Sequence, residues 1–175
     1  MRFVSWKASH DIGHKGISFE NKIKAVNEFS KYAKVFISSE SEQPKDLEKF
    51  RITIPPYRIH DAMSFATMFF GESFTMSAEA TILGVPSIII HNNIALQISD
   101  MESKYDLCFK YSESEEDQKL AINKGIELLN TPHIKDIWAF RRNKMLSEKI
   151  DVTAFLVWFV ENWPESSKIM KENLD

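Results

Sequence analysis

The segment "GVPSIIIH", Gly84 to His91, constrains the fold more than any other. A Gly-x-Pro stop leads into an apolar run, with none of the polar alternation that a half-exposed strand carries. Such a strand belongs inside a parallel sheet covered by helices on both faces. The flanking pattern agrees: segments read as strands, "RFVSW", "KVFISSE", "RITIPP", "MFFG", "PSIIIH" and "LCFKY", alternate with helical patterns. In "FENKIKAVNEFSKYA", Ile23, Val26, Phe29 and Ala33 share one face, with lysines opposite. The expected fold class is α/β, a Rossmann-like doubly wound parallel sheet. "RITIPP" serves there as a third strand, ended by Pro55 and Pro56 because proline cannot donate to a ladder.

The 175 residues suit a single domain, 1–175, with closing helices from about residue 133 as a packing or interface extension. A net charge of -3 disfavours a nucleic-acid partner, which a basic surplus would signal. No segment reaches the roughly 20 apolar residues of a membrane span. The single cysteine, Cys108, and an opening "MRFVSW" without a leader pattern make a cytoplasmic location the expectation.

Chemistry concentrates at the predicted carboxyl ends of strands, where open parallel sheets bind ligands. "GESFTMSAEATILGVP" begins at Gly71, read as a tight turn, and continues through Glu72, Ser73 and Thr75 into a helix carrying Glu79. Free main-chain N–H groups at such a helix start suit phosphate, and a carboxylate farther along suits the adjacent hydroxyls of a ribose. Ordinary capping by serine and threonine, with a solvated Glu79, explains the same letters, and both readings stay open.

The loop "SWKASHDIGHKGIS" gathers Lys7, Ser9, His10, Asp11, His14 and Lys15. The i, i+4 spacing of His10 and His14 does not match a zinc helix, because Gly13 intervenes and the carboxylate is misplaced. No metal and no cofactor is expected. Tyr57, Arg58 and Ile59 in "IPPYRIHD", and His91 with Asn92 after the apolar strand, are further candidates; turn and capping roles stand beside them. The acidic run "SESEEDQ" reads as a solvated helix start.

"GESFTMSAEATILGVPSI" resembles the donor-binding segment in the C-terminal domain of GT-B glycosyltransferases and of UDP-N-acetylglucosamine 2-epimerases. Glu79 stands five residues before Gly84, with Pro86 completing the pattern, and Phe74-Thr75 replaces the epimerases' glycine pair. "FVSWKASHDIGHKGIS", "IPPYRIHDAMSFATMFFGES" and "IDVTAFLVWFVENWPES" are similar to an uncharacterised prokaryotic glycosyltransferase-like family. The resemblance implies a domain that binds a nucleotide sugar, with UDP as the nucleotide. Ser73 and the adjoining N–H groups would hold the diphosphate, Glu79 the ribose, and Tyr57, Arg58 and Ile59 the base. It implies phosphate charge or proton transfer for Lys7, His10 and Lys15, with His10 and Lys15 as catalytic candidates.

The resemblance covers only the donor half of such a protein, so the expectation is either a truncated product or a chain completed by a partner or a second copy. Apolar residues on more than one side of "VTAFLVWFVENW" suggest where that contact forms. A non-catalytic Rossmann-like interaction module is the alternative.

Overall fold

Strands β1 (Arg2–Phe3), β2 (Ser38–Ser39), β3 (Phe69–Gly71), β4 (Ser87–Ile90) and β5 (Cys108–Tyr111) form one sheet in the order β2-β1-β3-β4-β5. Every pairing is parallel. The structure is a computed structural model that describes residues 1–6, 9, 12–40, 44–93 and 95–172. This is the Rossmann-like architecture that the apolar run predicts. All four residues of β4 are buried, and its one polar member, Ser87, bonds Ser77 of the helix above it at 2.6 Å.

Helices cover both faces. On one, α1 (Phe19–Phe29) packs against α6 (Glu115–Leu129). Gly125 makes their approach close enough that a Cβ there would strike the Phe29 ring. Helices α4 (Phe74–Ile82) and α5 (Leu96–Tyr105) pack together, α4 against β3 and β4 and α5 against β5. Helix α1 starts on an N-cap, Ser18, whose side chain accepts from the Asn21 N–H at 3.4 Å. Such a cap is worth about 1 kcal/mol.

The segment "RITIPP" departs from expectation. It contributes one isolated bridge, Ile37 to Arg51, and no strand. Lying beyond the sheet's outer edge with Arg51, Thr53, Pro55 and Pro56 exposed, it has no second partner among the described residues to extend the ladder. The segment follows α2 (Lys45–Glu48) and leads into a 3-10 turn at Pro56–Arg58 and then α3 (Ile59–Ser64). A cavity of about 470 Å³, lined mostly by apolar side chains such as Ile54, Ile59, Met63 and Met68, lies beside α3.

Contacts divide the chain into two compact units, Met1–Arg142 and Asn143–Asp175. The division falls within α7 (Ile134–Ser147), some residues after the start expected for the C-terminal extension. The second unit contains α8 (Val152–Glu161) and α9 (Glu165–Glu172), and the Ser166 hydroxyl donates to the Phe159 carbonyl at 2.6 Å. No residue of α8 is buried. Among the described residues no helix is long and apolar enough to cross a membrane.

Candidate functional site

The chain leaves β1 toward β2 on one side and returns to β3 on the other side of β1. The loops after β1 and β3 therefore diverge, and the crevice between them is where doubly wound sheets accept ligands. Among the described residues, 4–6 and 12–18 form one wall. Glu72, Ser73 and the start of α4 form the other.

Glu72 lies in this crevice but is turned into the protein. It is 1% exposed. One carboxylate oxygen accepts from the Val4 N–H at 2.7 Å and the other from the Ile17 N–H at 2.6 Å. Lys22 Nζ stands 3.4 Å away. Its lone pairs hold both ends of the β1–α1 loop, so in this geometry it braces the wall. Gly71 also differs from the expected turn. It closes β3, and a Cβ there would meet the main-chain oxygen of Arg2, so close strand approach is what requires glycine.

Ser73 is the N-cap of α4, its hydroxyl accepting from the Met76 N–H at 3.4 Å. Thr75 is exposed, and Glu79 follows one turn later on the same side of the helix. The Glu79 side chain is 33% exposed and lies 3.1 Å from His60 Nε2. His60 belongs to α3, directly after Tyr57, Arg58 and Ile59. The structure thus brings the proposed ribose residue beside the proposed base turn. Tyr57 is exposed, Arg58 pairs with Asp61, and Ile59 lines the apolar cavity.

A second cluster closes the inner end of the crevice. Trp6, His14, Phe74 and His91 pack ring against ring, stacked for Trp6–His14 and Phe74–His91 with centroids 5.4 Å and 4.3 Å apart, and tilted for His14–His91 at 4.8 Å. Glu113, between β5 and α6, joins them. Its Oε1 lies 2.6 Å from His14 Nδ1, and its Oε2 accepts from the N–H groups of Lys15 at 2.7 Å and Gly16 at 3.0 Å. The Asn92 N–H adds a 3.3 Å contact to Oε1, and Asn92 Oδ1 accepts from the Glu113 N–H at 2.8 Å. Burial pushes the Glu113 carboxyl up. The Lys15 N–H, the His14 ring and the N–H groups of Gly16 and Asn92 outweigh that and hold it at about 2.

His14, His91 and Glu113 offer donor atoms within 4.8 Å of one another, which invites a metal reading. The details favour a proton. Ligand atoms about 2.1 Å from a tetrahedral zinc stand roughly 3.4 Å apart, whereas His14 Nδ1 and Glu113 Oε1 are separated by 2.6 Å. His91 Nδ1 accepts the Asn93 N–H at 3.0 Å, which places the proton of a neutral ring on Nε2, where a metal would need a lone pair.

Of the remaining candidates, Ser9 is exposed, and Lys15 is used through its main chain while its side chain points outward. Lys7, His10 and Asp11 lie outside the described residues. Glu113 is the residue that sequence reasoning missed. The signal was present in Ser114: as N-cap of α6, accepting from the Asp117 N–H at 3.1 Å, it leaves Glu113 outside the helix and able to reach back to the crevice.

No family model matches the sequence, and no curated protein does either. A solved structure described as the glycotransferase of kitacinnamycin is similar in fold, with a TM-score of 0.53 at 13% identity. The match covers 83% of this chain and 39% of that one, so this chain spans about two-fifths of its neighbour's length. The likeness establishes a glycosyltransferase-like α/β fold.

Proposed function

We propose that the first unit binds a nucleotide sugar, with UDP as the nucleotide, as the donor-binding half of a GT-B-type glycosyltransferase or sugar epimerase. The observation that carries this reading is the outer side of α4. Ser73 sits at its mouth in the crevice, and Glu79 is partly exposed beside the Tyr57–Ile59 turn. A diphosphate at the helix start would place a ribose along this side and a base against α3.

The charge balance supports it as well. Glu72 has Lys22 beside it, and Glu113 has His14. The Glu72 carboxylate therefore presents no unbalanced negative charge to a phosphate, and Glu113 is turned toward main-chain N–H groups. His60 occupies one Glu79 oxygen, and a ribose hydroxyl would replace or share that contact.

Calorimetry of the full chain with UDP and UDP-N-acetylglucosamine tests the assignment. Glu79→Ala weakens binding about tenfold or more, equivalent to about 1.4 kcal/mol. Heat-silent titrations with the wild-type chain remove the reading and favour the interaction module.

A partner surface is a separate part of the proposal, motivated by α8, where Leu156, Val157, Val160 and the following Trp163 are exposed. Apolar surface of this kind favours association with a second copy or a partner chain. Sedimentation that stays monomeric across micromolar concentrations ends the second-copy version.

A further inference from the structure

Three features of the inner cluster cost the fold free energy without an evident structural return. Trp6 has φ 53°, a conformation bulky residues avoid. Among the described residues its buried indole N–H finds no hydrogen-bond partner. Two imidazoles and a carboxylate are packed together, one from each of the connections that follow β1, β4 and β5. Strain, an unsatisfied donor and clustered titratable groups at one place mark a functional site.

The hydrogen bonds show what it can do. Main-chain N–H groups from Lys15, Gly16 and Asn92 fix Glu113, and Glu113 receives the His14 Nδ1–H. The lone pair of His14 is thereby left on Nε2, and no hydrogen bond to that atom is found among the described residues. We propose that His14 is the proton acceptor of this site, with Glu113 as its positioning residue, acting on a hydroxyl brought into the crevice between β1 and β3. The electrophile rests on the nucleotide-sugar reading above. As the hydroxyl O–H breaks, Nε2–H forms. The oxygen electron pair adds to the sugar carbon, whose bond to the diphosphate oxygen breaks with its pair leaving on the diphosphate. Glu113 balances the imidazolium that results.

Carbethoxylation by diethyl pyrocarbonate, in which an imidazole lone pair attacks the reagent's carbonyl, reads this property without any turnover. With the full chain at pH 7 and peptide mass spectrometry, His14 reacts at least as fast as His133, although its side chain is 11% exposed against 83%. Glu113→Gln slows His14 about tenfold and leaves His133 unchanged. UDP-N-acetylglucosamine blocks His14. A slow wild-type His14, or equal rates in Glu113→Gln, overturns the proposal. A fast, carboxylate-dependent His14 that the nucleotide sugar does not block keeps the proton acceptor and discards the nucleotide-sugar reading. If Glu113→Gln does not fold, nitrogen-15 spectra of the wild-type ring decide: a proton on Nδ1 supports the proposal, and a proton on Nε2 sinks it.

Discussion

Replacing Glu113 by glutamine tests how much the crevice depends on one carboxylate. In the folded chain this carboxyl is held at about 2 against an ordinary 4.5. At about 1.36 kcal/mol per pH unit, the gap corresponds to about 3 kcal/mol of stability at neutral pH. The side chain is 5% exposed, so solvent screens little of it. A depressed folded-state value means that the stabilisation is complete above the unfolded-state value and is lost as pH falls toward 2. By pH 3 about 1.4 kcal/mol remains.

Glutamine keeps the shape and removes the charge, so the two proteins differ by about 3 kcal/mol at pH 7 and converge in acid. Urea denaturation at pH 7, 4 and 3 measures this. Carrying both proteins in a His14→Asn background confines the comparison to the carboxylate itself. A difference below about 1 kcal/mol at pH 7, or one equally large at pH 3, would refute the reasoning.

Gly16 has φ +62°, and a Cβ there would strike the Trp6 indole and Glu72, so Gly16→Ala costs about 2 kcal/mol or more by thermal or urea unfolding. An unchanged midpoint would show that the loop does not pack on Trp6. Burial, aided by Glu102, pushes the Cys108 thiol up to about 12. It therefore resists a thiol-disulfide reagent at pH 8 until denaturant unfolds the chain, and labelling that precedes unfolding contradicts this burial.

The sheet was legible because burial leaves a direct mark on sequence. Ile88, Ile89 and Ile90 admit no exposed face, and all three are fully buried. "RITIPP" misled because alternation in an edge segment records only which side faces inward; whether a neighbour exists to pair with is decided elsewhere in the chain. Helix α9 went unread for the opposite reason: "ESSKIMKE" offers a narrow apolar stripe, and Ser166 is its buried residue.

The placement of the candidate residues was partly legible. Ser73 and Glu79 belong to one helix, where spacing predicts which side a residue takes, and the structure sets Glu79 beside α3. Glu72 and Glu113 carry the same side chain in short polar connections. Their roles depend on which main-chain N–H groups point at them, and those lie 21 to 98 residues away along the chain. No local pattern contains that information.

The clamp on the β1–α1 loop also orders events in time. Residues 14–18 leave the ribosome about a hundred positions ahead of their anchors on Glu113 and Gln118: the Ser18 N–H reaches Gln118 Oε1 at 3.0 Å, and Gln118 Nε2 donates to the Gly16 carbonyl at 3.2 Å. At about 5–20 residues per second, that wall of the crevice waits on the order of 5–20 s during synthesis for its fasteners to emerge. A nascent chain halted before Glu113 therefore holds its first strand and helix but presents an open, protease-sensitive segment where the finished protein has its pocket wall.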